Sequence, residues 1–311
     1  MTETTREIFD KHEIRKTKVQ KASFREYLTS YAQSLGYDVH KESVNKNAAN
    51  VVIGDPSSAK VIYTAHYDTC AVTPFPNLIT PKCIPLYLLY QIFISLVMLA
   101  LPIFVMLFGS EFVYDKTGSE TLRVITLIGG YALLWGFIIL MMKGPANKHT
   151  ANDNTSGVTL LIDIMRDMPN KLRENAAFIF FDLEEMGTVG SKMYKKKHPN
   201  IAKTKPVINF DCVSDGKYML FVAKKNASEL SDKISEAFKS DDTYTVDVAT
   251  KGVIYPSDQR NFEYGVGVSA LNKTKHGLLY MNRIHTKRDT VYDEENIEFL
   301  KTGAINLTRI I

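Results

Sequence analysis

Carboxylates and imidazoles recur in this chain where strands end and loops begin. The densest stretch is Phe180 to Gly187, FFDLEEMG, where the apolar run Ala177 to Phe181 gives way to Asp182, Glu184 and Glu185. Four other places offer similar groups: His66 with Asp68, Asp153, Asp211 and His285. Imidazole nitrogen and carboxylate oxygen suit zinc. Two histidines and three carboxylates complete a two-metal centre when one carboxylate bridges. Two metals about 3.5–4 Å apart lower the pKa of water held between them. A neighbouring carboxylate that is not a ligand can then take the proton. Adjacent glutamates cannot point the same way, so one of Glu184 and Glu185 would serve a metal and the other the substrate. Each feature alone is ordinary, since acidic turns are usually solvated and an Asp after a strand is often a helix cap. Their joint occurrence argues for chemistry.

The elements that must position these groups read as alternating strands and helices. Lys16 to Leu35 is an amphipathic helix ended by Gly36. Tyr37 to His40, Asn50 to Ile53 and Lys60 to Ala65 are strands, the last delivering His66 and Asp68. The polar loop Ala151 to Gly157 opens a helix from Val158 to Met168. Strand Ala177 to Phe181, a helix from Val189 to Lys197 and strand Val207 to Phe210 follow. Then come strand Tyr218 to Val222, helix Ala227 to Phe238, a short helix at Pro256 to Gln259, strand Val266 to Leu271 and a closing helix, Asp293 to Ile310. The pattern predicts an α/β fold with a mixed, largely parallel central sheet and helices on both faces.

Composition narrows the class. A formal net charge of +4 over 311 residues is too small for a nucleic-acid binder, and no basic stripe with interleaved aromatics occurs. Cys70, Cys83 and Cys212 form no CxxC pair, which suits a reducing compartment. The N-terminus is charged and polar through Lys21, unlike a secretory signal. Two runs stand apart: Ile84 to Phe108 carries no charge, and Leu122 to Met142 has Arg123 at its edge. Each is about 20 residues or longer, enough to cross a ~30 Å hydrocarbon core. They predict a transmembrane hairpin, residues 83–142, inserted into one catalytic domain made of 1–82 and 143–311. Two crossings leave both flanks on one side, and the basic flanks expect both termini and the catalytic domain in the cytoplasm of an integral membrane protein. Its partners would be the lipid bilayer and, through Gly129, Gly130 and Gly136, a second hairpin of a homo-oligomer.

The ordered series HYD, ANDNTSG, DLEEMGTVGS, NFDCVSDG, SDQRNF and RIHTKRDT resembles the co-catalytic zinc aminopeptidase family. That family includes bacterial leucyl-type aminopeptidases, glutamate carboxypeptidases and glutaminyl cyclases. The resemblance covers Asn50 to Asp68 and Ala151 to the C-terminus. It implies a zinc-exopeptidase-like fold and two Zn²⁺ ions, with Co²⁺ or Mn²⁺ as alternatives. His66 and Asp211 would hold one ion, Glu185 and His285 the other, and Asp153 both. Glu184 would be general base and acid for a metal-bridged hydroxide, and Asp68 would orient the His66 imidazole. An unusual backbone, such as a cis peptide, is expected after Asp153. Tyr255 is a candidate oxyanion donor, with packing against the sheet as its equal alternative. The resemblance departs at Gln259, where relatives often have His, which bears on substrate binding.

The function so implied is a membrane-anchored metallo-exopeptidase, an aminopeptidase acting on peptides with a free N-terminus. The alternatives are a glutaminyl-cyclase-type acyl transferase and a non-catalytic membrane receptor or scaffold of the same fold.

Overall fold

A computed structural model describes every residue except Pro74. The chain opens with α1 (Glu3–His12), capped by Thr2, and α2 (Lys18–Ser34), which starts at a reciprocal capping box of Thr17 and Gln20. β1 (Val39–Asn45), β2 (Ala48–Ile53) and β3 (Val61–His66) follow. The apolar runs form α3 (Ile84–Phe104), which passes through a π-turn into α4 (Ser110–Thr117), and α5 (Glu120–Lys143). Next come α6 (Gly157–Asp167), β4 (Ala176–Phe181), α7 (Val189–Lys197), α8 (Pro199–Thr204) and β5 (Pro206–Phe210). The chain closes with β6 (Tyr218–Ala223), α9 (Leu230–Ala237), β7 (Thr245–Ala249), β8 (Tyr264–Lys273), β9 (Leu279–Tyr280) and α10 (Glu294–Ile310).

The sheet runs β1-β2-β4-β3-β5-β8-β6-β7, with β9 on β8. Pairings β4-β3, β3-β5, β5-β8 and β6-β7 are parallel, and the others are antiparallel. Every residue of β3 and β4 is buried, as their continuous apolar runs require of strands covered on both faces. Alternation divides them between two cores: Val61, Tyr63 and Ala65 join Phe178 and Phe180 on one face, and Ile62 joins Ala177 and Ile179 on the other. Gly157 is obligatory where α6 begins, because a Cβ there would lie 2.5 Å from the Phe210 carbonyl. After β3 the chain moves to one neighbour, β4, and then crosses to the other, β5. Such a reversal opens a crevice at the carboxyl ends of the strands.

The insertion leaves the domain beside that crevice. Ala71 bridges Ala146, Ile79 bridges Met281, and the Val72 amide bonds the Pro145 carbonyl at 2.9 Å. Both ends of the hairpin are thereby tied to the domain. By length and composition, Ile84–Thr117 and Glu120–Lys143 could each cross a membrane, and almost none of their residues are buried. Gly130, expected to pair hairpins between copies, instead packs inside this one: a Cβ would lie 2.3 Å from Met106 Cγ.

The sequence reading misses α1, α4, α8, β7 and β9, and extends one helix too far. Ala227 to Phe238 is a 3₁₀ turn, Lys225–Ala227, followed by the shorter α9.

Candidate metal centre

Each ligand candidate is delivered by a strand end or a loop fixed to one. His66 is the last residue of β3, Asp211 follows β5, Glu184 and Glu185 follow β4, and Asp153 lies in the loop before α6. His285 reaches the same place from the loop after β9. Its Nε2 is 2.9 Å from Asp153 Oδ2 and 3.4 Å from Glu185 Oε2. His66 Nε2 is 3.2 Å from Asp153 Oδ1 and 3.5 Å from an Asp211 oxygen. The Asp153 carboxylate is thus divided, one oxygen toward each imidazole. Tetrahedral zinc with bonds of 2.0–2.1 Å spaces its donors by roughly 3.3 Å, so His66, Asp153 and Asp211 fit an ion, while around His285 the donors that lie together are those of Glu185 and Cys70. Glu185 Oε1 is buried without a hydrogen-bond partner, as a side chain awaiting a cation would be.

The side chains of Ala151 to Gly157 hold this geometry. Asn152 Oδ1 accepts from the Ser214 and Asp215 amides at 2.7 and 3.2 Å. Asn154 Oδ1 accepts from Cys212 N at 3.2 Å, and Ser156 Oγ from Val213 N at 3.1 Å. The loop carrying Asp153 therefore satisfies the backbone of the loop carrying Asp211. The Asp153–Asn154 peptide bond is cis. Left-handed φ occurs at Leu183, Cys212 and His285, each a ligand candidate or within one or two residues of one. Non-glycine residues rarely adopt this conformation, and it concentrates where a site over-determines the backbone.

Two supports escaped the sequence reading. Asp289 accepts the amides of Asn152 and Asp153 at 2.8 and 3.0 Å, behind the divided carboxylate. Its one sequence signal is its position four residues after His285. Arg15 is fully buried and donates to the carbonyls of Tyr67, at 2.5 Å, and His12, at 2.6 Å, and to Thr155 Oγ1, at 3.1 Å. It ties the turn after β3 to the Asp153 loop, and no local pattern marks it. The third acid of the β4 turn, Asp182, is structural: it accepts from Lys21 Nζ and Tyr67 Oη, both at 2.7 Å.

Two expected roles change. The Asp68 carboxylate accepts the Glu184 and Glu185 amides at 2.9 and 3.2 Å. Its nearest approach to His66 Nδ1 is 3.7 Å, too long for a hydrogen bond. The imidazole is oriented instead by the Asp68 main-chain carbonyl, at 3.1 Å. The Tyr255 hydroxyl donates to the Asp211 carbonyl at 2.8 Å and so holds that loop, which accords with the packing alternative. Gln259 is buried and donates to the Tyr255 carbonyl at 2.7 Å, which makes it a prop for Tyr255 and not a substrate contact.

The electrostatics describe a pocket short of positive charge. Burial pushes the Glu184 carboxyl well up; His66 opposes this, and Asp258, Asp211 and Glu185 add to it. Burial and Asp153 lift Glu185 to about 8 against the pull of His285. Burial disfavours the charged form of His285, yet Glu185 and Asp153 outweigh it and hold the imidazole up at about 10. For His66, burial is likewise outweighed, by Asp153, Asp211 and Asp68. Protons collect where the carboxylates crowd, and bound cations would replace them. Glu184 donor atoms lie within 4.8 Å of those of His66 and Glu185, and its carboxylate accepts no hydrogen bond among the described residues. That leaves it free to act on water.

The sequence model of peptidase family M28 matches residues 138–308, more than half of the chain. The chain belongs to peptidase family M28. It is a metallopeptidase. No curated protein matches this family M28 sequence. Among solved structures, the LapA aminopeptidase of Legionella pneumophila is 14% identical, with a TM-score of 0.57 over 98% of this chain and 67% of its own. Porphyromonas gingivalis glutaminyl cyclase is 15% identical, with a TM-score of 0.59 over 98% of this chain and 95% of its own. A Zn-dependent exopeptidase from Parabacteroides distasonis is 15% identical, with a TM-score of 0.56 over 98% of this chain and 97% of its own. At such identities these likenesses show the shared fold.

They also correct the localisation. The sequence reading made this family M28 peptidase an integral membrane protein with its catalytic domain and termini in the cytoplasm. The proteins that share its fold are soluble, non-membrane enzymes, and this overturns that assignment. Length and apolarity alone do not establish a membrane crossing.

Proposed function

We propose that this family M28 peptidase is a two-metal aminopeptidase that removes the first residue from peptides with a free N-terminus. The divided Asp153 carboxylate carries the reading, with one oxygen toward His66 and Asp211 and the other toward His285, which also faces Glu185. His66 and Asp211 would hold one ion, His285 and Glu185 the second, and Asp153 both. The donor set suits zinc, with cobalt or manganese as alternatives. When bound, the ions supply Lewis acidity toward the scissile carbonyl and acidify water near neutral pH.

The chain's own residues do the rest. Glu184 takes the proton of the attacking water and passes it to the leaving amine. Asp68 bonds the amides of both glutamates and so fixes the base relative to the neighbouring ligand. Tyr255 and Asp289 hold the Asp211 and Asp153 loops at their carbonyl and amides respectively. On this reading residues 1–82 and 143–311 form one catalytic domain, and 83–142 is an inserted hairpin.

The test combines metal content with Glu184→Gln. Active protein should hold two metal ions per chain. The substitution should lower kcat by 10²–10⁴-fold, the range for a positioned proton-transfer group, with metal content and Tm retained. Full activity in the variant would remove Glu184 from its role. One ion per chain, with release of a cyclised N-terminal glutamine, would favour the cyclase reading.

A further inference from the structure

The hairpin does more than leave the domain near the metal centre: it walls a cleft that His285 shares. Phe75, Tyr90, Ile94, Met98 and Met141 line a space of about 260 Å³ together with His285. Tyr90, Ile94 and Met98 belong to α3, and Met141 to α5. The cleft sits below the 300–1,000 Å³ of pockets that take drug-sized ligands, so it suits a single side chain. A second space of about 270 Å³ adjoins it, sharing Phe75, Met98 and Met141 and adding Val97, Phe137 and Leu140. Thr73, Asn77 and Gln91 add polar groups at the His285 end, and the walls become apolar toward the crevice between α3 and α5.

The walls are fixed to the site. Thr73 donates to the His285 carbonyl from its amide at 2.8 Å and from Oγ1 at 3.1 Å. The Tyr90 hydroxyl bonds the Pro76 carbonyl in the same loop. Ile79 bridges Met281 four residues before His285. The cleft and the second ligand grouping thus share one rigid segment. Among the described residues no Asp, Glu, Lys or Arg lines either space.

We infer that the hairpin forms a specificity pocket for a bulky apolar side chain flanking the scissile bond, with leucine, methionine and phenylalanine as the favoured class. This rests on the peptidase reading above. Burial of such a side chain favours the bulky apolar peptides over the small ones, and a charged one would lose its water there.

The test is kinetic and binding together, on the full-length metal-loaded protein. Detergent is used because α3 and α5 expose many large apolar side chains. Two dipeptide series vary the first and second residue through Gly, Ala, Leu, Phe, Asp and Lys. Ile94→Trp fills the cleft. It should lower kcat/KM for the bulky apolar members of one series by about tenfold or more and leave Gly and Ala within twofold. Ile128→Trp, at an exposed position on α5 outside the cleft, should leave every ratio unchanged. Calorimetry on Glu184→Gln protein should give tighter binding of the Leu than the Gly peptide, and Ile94→Trp should abolish that difference. Equal losses across all side chains, or a preference for Asp or Lys in both series, would overturn the pocket while leaving the peptidase reading intact. Failure to hydrolyse any member of either series would overturn both.

Discussion

Asp289 illustrates what the site asks of a residue that touches neither metal nor substrate. Its carboxylate takes the amides of Asn152 and Asp153 and so sets the direction of the divided carboxylate. Asp289→Ala should reduce metal affinity by about 10–100-fold, the usual cost of removing such an outer partner. Chelator competition would measure it, and unchanged affinity would mean that the loop holds itself. The crowding of carboxylates in the pocket also sets a pH dependence. Burial lifts Glu185 from 4.5, and Asp289 from 3.8, to about 8. An acid raised on folding stabilises the fold fully below its unfolded pKa and loses that contribution as pH rises through the folded value. His285, raised from 6.5 to about 10, acts in the same direction. Metal-free protein should therefore lose Tm steadily between pH 6 and 9, the metal-loaded protein much less, and metal binding at pH 7 should release protons. Scanning calorimetry in matched buffers checks the first, and a rising metal-free Tm would contradict it.

Among the elements, the strands carrying ligands were legible because β3, β4 and β5 are short apolar runs ending in acids or histidine, and both features are local. β7 carried a period-two signal, TVDVA, but as a half-exposed edge strand it lacked the apolar run that marked its neighbours. The N-terminal segment was read only as one amphipathic helix. Its actual work comes from Arg15, between α1 and α2, whose bonds to Tyr67 and Thr155 span 52 and 140 residues of sequence. No periodicity reports contacts at such separations. The guanidinium is fully buried, and burial lowers its pKa to about 10. Arg15→Met would leave several buried acceptors unpaired. It should cost about 1–3 kcal/mol, as leaving a buried acceptor unpaired does. Denaturant unfolding measures it, and a loss under 1 kcal/mol would show that water replaces the arginine. Arg15→Lys should recover only part, since an ammonium cannot reproduce the fork.

At the scale of the whole molecule, the hairpin and the α/β domain differ in what holds them. The three apolar core clusters contain no residue of α3, α4 or α5, so the sheet's stability is expected to be independent of the packing of those helices. The hairpin's own packing has a narrow point at Gly130, where α5 lies against Pro102 and Met106. Gly130→Leu would force those helices apart, because a Cβ there already meets the Met106 side chain at 2.3 Å and the Pro102 carbonyl at 3.2 Å. The strain should be absorbed by the hairpin, which has few other buried contacts, and not by the sheet. The expected result is a domain Tm within a few degrees of the parent and two metals per chain. Selectivity between bulky and small substrates should shift, because Met98 and Met141 ride on the separated helices. A large fall in domain Tm would mean that the hairpin is part of the folding unit. Unchanged selectivity would mean that the base of the hairpin is held by Ala71–Ala146 and Ile79–Met281 alone, whatever happens along its length.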